Sequence, residues 1–172
     1  MAVRLVIIGL PGSGKTTVGA AVAALAGVPF LDSDDLVHDM TGRTAGDIIA
    51  ADGEAAFRLV EATAIADTLV DFGGVLALGG GAVTTESVRA ELRDAGVPVV
   101  LLTADRSELV SRIGHTRHRP LLAGDTAGRL AQLDSERAAF YAAVATTSID
   151  TTALTPSAVA EQLLAVLGGE QP

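Results

Sequence analysis

Four short apolar runs break up the chain, at residues 3–8, 28–31, 75–78 and 98–102, and each reads as a buried strand. A fifth strand is predicted at 147–150. Between them lie longer segments with helical periodicity, at 17–26, 36–40, 44–50, 54–71, 86–95, 105–113, 127–145 and 156–167. Stop signals separate these segments. Gly27 and Pro29 end the first helix, Asp52-Gly53 divides two others, Phe72-Gly73-Gly74 closes the longest, and Gly96 follows the next. Strands that alternate with helices predict an α/β fold, a parallel sheet between helical layers joined by right-handed crossovers. Ligands of such sheets gather beyond the carboxyl ends of the strands.

The stretch 114–126 breaks the rhythm. It is polar and arginine-rich, it contains Pro120 and Gly124, and it is long for a connector, so it reads as a lid. No internal repeat is visible. With 172 residues, one domain spanning 1–172 is expected.

Composition narrows the function. A net charge of −9 argues against a nucleic-acid partner. Hydrophobic residues make up 49% of the chain, yet no run reaches the ~18–20 residues of a membrane span, and the start lacks a signal-peptide layout. The absence of cysteine excludes disulfides and thiolate metal sites and fits the cytoplasm, the expected location. No dimer seam is apparent, so a monomer is expected. His38, His115 and His118 have no metal-site spacing; His38 is expected on a solvated helix face and the other two on the lid.

The first strand runs into Gly9-Leu10-Pro11-Gly12-Ser13-Gly14-Lys15-Thr16, which fits G-x-x-x-x-G-K-[ST]. A glycine turn between strand and helix brings successive N–H groups round one point, at the positive end of the helix dipole. The alternative is a plain glycine-rich turn. The flanking strand and helix favour a nucleotide-binding P-loop, with Gly12, Ser13, Gly14, Lys15, Thr16 and Thr17 around the nucleotide's phosphates. Lys15, the only lysine of the chain, is expected on the outer phosphates, and the Thr16 hydroxyl on Mg²⁺.

The second strand leads into Asp32-Ser33-Asp34-Asp35. Asp35 is read as the cap of the following helix. Asp32 and Asp34 are read as functional, on the same side of an extended chain. Arg58 and Glu61 are helical neighbours, which allows a plain surface pair worth ~0.2–0.5 kcal/mol. The third strand opens into Gly79-Gly80-Gly81, an entropic cost that makes sense where backbone must approach a ligand or take positive φ. Arg137 and Tyr141 share one helix face, and Tyr141 is read as packing.

In combination these motifs resemble the shikimate kinase family. The matches are Leu31-Asp32-Ser33-Asp34, Asp52-Gly53-Glu54 with Phe57-Arg58, Arg58-Leu-Val-Glu61, Ala77-Leu78-Gly79-Gly80-Gly81, Arg119-Pro120-Leu121-Leu122 and Arg137-Ala-Ala-Phe-Tyr141. They cover most of the chain in the family's order.

The resemblance implies a three-layer P-loop NTPase fold with five parallel strands ordered 2-3-1-4-5. It implies transfer of the ATP γ-phosphate to the 3-hydroxyl of shikimate, within aromatic amino acid biosynthesis. Asp34, Arg58, Gly80 and Arg137 would then hold shikimate, with Gly79 and Gly81 shaping that wall, and a substrate-binding region would span about 32–62. Thr16 and Asp32 would hold Mg²⁺, and Arg112 and Pro156 would sandwich adenine. Lys15, Asp34 and Arg119 would be catalytic, Asp34 as base or orienting group, and Arg119 on the phosphates from a lid of about 112–126.

The chain departs from the pattern at Ile49, where relatives often carry an aromatic, and at Arg117, an extra arginine beside Arg119. A gluconate kinase or a non-catalytic nucleotide-binding regulator are the alternatives. Arg58, Arg137 and the three glycines speak against the first, and intact Lys15, Thr16, Asp32 and Asp34 against the second.

Overall fold

Alternate residues of the first strand feed two different cores. In β1 (Leu5–Gly9), Leu5 and Ile7 pack on one side with α1 (Lys15–Ala26) and α8 (Pro156–Gly168), while Val6 and Ile8 pack on the other. That second side is covered by α4 (Glu54–Asp71), α5 (Glu86–Ala95) and α7 (Thr126–Val144), through Ile65, Leu69, Val88, Leu92 and Val144. A strand covered on both faces has no polar side to show, which explains its unbroken apolar run. The structure, a computed structural model, describes residues 3–114 and 125–168.

Five parallel strands form the sheet, in the order β2-β3-β1-β4-β5. The remaining strands are β2 (Phe30–Asp32), β3 (Val75–Ala77), β4 (Val99–Thr103) and β5 (Thr147–Asp150). Val6 stands opposite Leu76 on one side and Val99 on the other, so β1 and its loop sit at the centre of the sheet. This is the predicted order. Among the described residues no helix is long and apolar enough to cross a membrane.

Several boundaries differ from the sequence reading, for identifiable reasons. β2 starts at Phe30, not 28, because the Val28 N–H turns back to the Ala23 carbonyl and closes α1. Pro29, which has no N–H, enters the ladder only as acceptor for Val75. α1 begins at Lys15, two residues early, because Gly14 takes φ 92° and turns the chain directly into helix.

The larger correction concerns α2 (Ser33–Thr41). The chain after Asp32 is helical, so Asp32 and Asp34 do not alternate along a strand. Asp32, not Asp35, is the cap: its carboxylate accepts from the Asp34 N–H at 3.1 Å. α3 (Ala45–Asp52) is held at its start by a reciprocal Thr44–Asp47 capping box, and Arg43 ties its end through Asp52 at 2.6 Å. α6 (Arg106–Gly114) completes the set beside the P-loop.

Candidate active site

Two cavities meet at the start of α1. One, of about 500 Å³, runs from the P-loop past Arg112 to Thr151 and Pro156. The other, of about 630 Å³, runs from the P-loop to Asp34, Arg58, Glu61 and Arg137. Lys15 and Thr16 line both, so a group passed from one cavity to the other would cross these two residues. A smaller cavity of about 360 Å³ lies behind the loop, between α6 and α7, and is lined by Leu10 and Ser13 of the loop and by Tyr141 of α7.

The loop is built by its glycines. Gly12 and Gly14 have φ of 84° and 92°, a region side chains avoid. A Cβ on Gly12 would stand 2.9 Å from the Leu109 carbonyl oxygen, so the loop packs directly on α6. The Lys15 ammonium donates to the Leu10 carbonyl oxygen at 3.0 Å, bridging the loop. Thr16 Oγ1 donates to Asp32 Oδ2 at 2.7 Å, and Asp32 Oδ1 faces the Asp34 N–H at the start of α2. A hydroxyl that lines both cavities and a carboxylate oxygen that lines the second are therefore side by side. Two hard oxygens suit Mg²⁺, which takes few protein ligands and fills its sphere from phosphates and water.

In the first cavity Arg112 is pinned on three sides. Nε donates to Glu108 at 2.9 Å, Nη1 to Thr151 Oγ1 at 2.9 Å and Nη2 to the Thr151 carbonyl at 2.8 Å. Its guanidinium is fixed on the same cavity as Pro156, the first residue of α8. Thr151, buried and outside the sequence-level candidates, is the residue that fixes it.

The second cavity is walled by Gly79-Gly80-Gly81, none of which has positive φ among the described residues. The glycines serve close approach instead. A Cβ on Gly81 would overlap the Arg58 guanidinium, one on Gly80 would lie 3.2 Å from Arg137 Nη1, and one on Gly79 would lie 2.7 Å from Glu61 Oε1. Two buried partners hold this wall, and the sequence reading missed both. Ser33 Oγ accepts the Gly79 N–H at 2.7 Å, and Tyr141 Oη donates to the Gly80 carbonyl at 2.6 Å. Tyr141 is thus more than packing. Burial pushes its phenol up, with Arg137 drawing it partly back.

Arg58 and Glu61 are not a surface pair. Glu61 is 1% exposed, its Oε2 takes Arg58 Nη1 at 2.6 Å, and its Oε1 is buried with no hydrogen-bond partner. Burial pushes the Glu61 carboxyl up to about 7, against Arg58 and Arg137 and with help from Asp34. Glu54 takes Arg58 Nη2 at 3.1 Å from the exposed side. Burial acts against the Arg58 charge, but the two glutamates hold its pKa raised, so it stays a cation. The signal for this bracket was present as Glu54, Arg58 and Glu61 on one face of α4, at i, i+4 and i+7.

Asp34 and Asp32 both line this cavity, as does Arg137; Ile49 lies on its α3 side. His38 is exposed, as expected. Arg117, Arg119, His115 and His118 lie outside the described residues.

Comparison with known proteins agrees with this geometry. A family profile described as shikimate kinase matches residues 11–168. The chain is 45% identical to the shikimate kinase of Mycobacterium tuberculosis, over 100% of this chain and 97% of that protein. A solved shikimate kinase from Acinetobacter baumannii, in complex with shikimate, superposes with a TM-score of 0.89 at 32% identity, covering 97% of this chain and 93% of that one. A gluconokinase from Sinorhizobium meliloti shares the fold at TM-score 0.65 and 23% identity, over 95% and 90% of the two chains. With a full-length relative this similar, a profile spanning nearly the whole chain and a site built from the family's motifs, the chain belongs to the shikimate kinase family.

Proposed function

We propose that the chain transfers the γ-phosphoryl group of ATP to the 3-hydroxyl of shikimate, and that the two cavities divide the substrates. The observation that carries this reading is their shared boundary at Lys15 and Thr16. ATP takes the first cavity, with its phosphates on the N–H groups of residues 12–17 and its adenine between Arg112 and Pro156. Shikimate takes the second. Its carboxylate is gripped by Arg58 and Arg137, planar forks that match it. Asp34 accepts from its ring hydroxyls. The region of about 32–62 then serves the acceptor and about 112–126 the lid, with Arg119 reaching the phosphates.

The acceptor oxygen attacks the γ-phosphorus, the bond to the β–γ bridging oxygen breaks, and ADP leaves with that electron pair. The hydroxyl proton passes to Asp34 and then to solvent. Such transfer asks little covalent chemistry of the protein, so positioning and charge neutralisation supply most of the rate. Lys15 faces the charge that spreads over the transferred group. Thr16 and Asp32 are the residues that would hold Mg²⁺, which when bound offsets phosphate charge.

Phosphorus and proton NMR of the product made from shikimate and Mg·ATP tests the reading. A phosphate ester at the 3-hydroxyl, formed in step with ADP, is expected. An ester at another position, or ADP with no ester, would refute it.

A further inference from the structure

The bracket around Arg58 has an imbalance of charge. Arg58 is one cation, and it already faces two carboxylates, Glu61 through Nη1 and Glu54 through Nη2. On the reading above, a third carboxylate arrives with the substrate. Glu54 is 68% exposed and keeps its water, so it can give way. Glu61 is 1% exposed and cannot.

The charges that face Glu61 from the elements packed against it are of both signs. From its own helix comes Arg58, from α2 the Asp34 carboxylate, from α7 the Arg137 guanidinium, and the glycine wall after β3 brings no charge. Glu61 Oε1 has no donor, which leaves a buried carboxylate oxygen desolvated and uncompensated. It borders the same hollow beside Gly79 as Asp34 Oδ1: a Cβ there would lie 2.7 Å from the first and 3.3 Å from the second. A proton on Oε1 would remove one negative charge from this cluster and leave Oε2 free to keep its bond to Arg58.

We infer that Glu61 is a proton-linked positioning residue: the protein takes up a proton from solvent at Glu61 Oε1 as the substrate carboxylate binds Arg58. No other bond is made or broken. Glu61 already stands near neutral before substrate arrives, because burial raises it to about 7, and a further anion at Arg58 raises it again. Substrate affinity therefore weakens as pH rises above about 7, by at most about tenfold per pH unit, the limit for one linked proton.

The test is calorimetry of shikimate binding at about pH 7.5, in two buffers of different ionisation enthalpy, with Kd followed across pH. Wild type is expected to take up a fraction of a proton and to lose affinity with rising pH. Glu61→Gln is expected to take up none and to bind with a flat profile. Infrared difference spectra of wild type on shikimate binding give a check that needs no variant: a protonated carboxyl band should grow in. No proton uptake by wild type, or equal uptake by Glu61→Gln, would overturn the inference and leave the grip of Arg58 standing. If Arg58→Lys left shikimate affinity unchanged, the reading of Arg58 itself would fall, and the inference with it.

Discussion

Tyr141 and Gly80, far apart in sequence, are joined by a 2.6 Å hydrogen bond from the phenol to the glycine carbonyl. The bond fixes the glycine wall to α7, the helix that also carries Arg137. One side of the candidate acceptor pocket and its arginine are thereby set as a unit.

Removing the phenol should show this. Tyr141→Phe leaves the Gly80 carbonyl without its buried donor, and a loss of about 1 kcal/mol in unfolding free energy is expected. KM for shikimate should rise severalfold while KM for ATP holds, since Gly80 lines the second cavity and not the first. Equal changes in both would mean that Tyr141 supports the whole fold and not this wall.

Gly81 makes a sharper case. Its missing Cβ is the space taken by the Arg58 guanidinium, which Glu54 and Glu61 hold from two sides. Gly81→Ala should displace Arg58 and raise KM for shikimate about tenfold or more, about 1.4 kcal/mol of lost substrate binding. KM for ATP should stay near normal. Normal shikimate kinetics in this variant would show that the guanidinium position does not matter.

Stability should carry the mark of Glu61 as well. Its carboxyl is raised from 4.5 to about 7 in the folded chain, so the folded state binds this proton more tightly than the unfolded state. The resulting stabilisation is fully present below about pH 4.5 and is lost as pH rises through about 7, a change on the order of 3 kcal/mol. The difference between two proteins that differ only at this carboxyl is the readout. Denaturant unfolding of wild type and Glu61→Gln should show the variant gaining on wild type as pH rises from about 4.5 to about 7. A constant difference would contradict the raised carboxyl.

Asp34 is assigned the acceptor hydroxyl. Asp34→Asn keeps the shape and removes the base, and kcat should fall about 10²-fold or more, with shikimate affinity retained. Near-normal turnover with intact affinity would limit Asp34 to orienting the hydroxyl.

How much of this was legible in the sequence depended on distance along the chain. The P-loop was legible because every part of it, the buried β1, the left-handed glycines and the helix start at Lys15, lies within one short segment. The parallel sheet followed from the alternation of strands with helices along the chain. The i,i+3 spacing of Arg58 and Glu61 was visible, but the burial of Glu61 was not, because Gly79 and Asp34 close over it from other elements. Ser33 and Gly79 meet only after β2 and β3 pair, so no local pattern announces that bond. Among the aspartates, the cap went to Asp32 because the helix begins at Ser33, and three acids within four residues cannot indicate which one the first turn will use. The Arg119 motif lies outside the described residues, and its assignment rests on the motif alone.

The central claim, that the acceptor is shikimate, is tested most directly by ADP release in a coupled assay with Mg·ATP and shikimate, gluconate or nucleoside monophosphates offered separately. Release that depends on shikimate alone is the expected result, and it would support Asp34, Arg58 and Arg137 as one acceptor site. Release with another acceptor, or at the same rate with none, would contradict it and leave only the nucleotide half of the site standing.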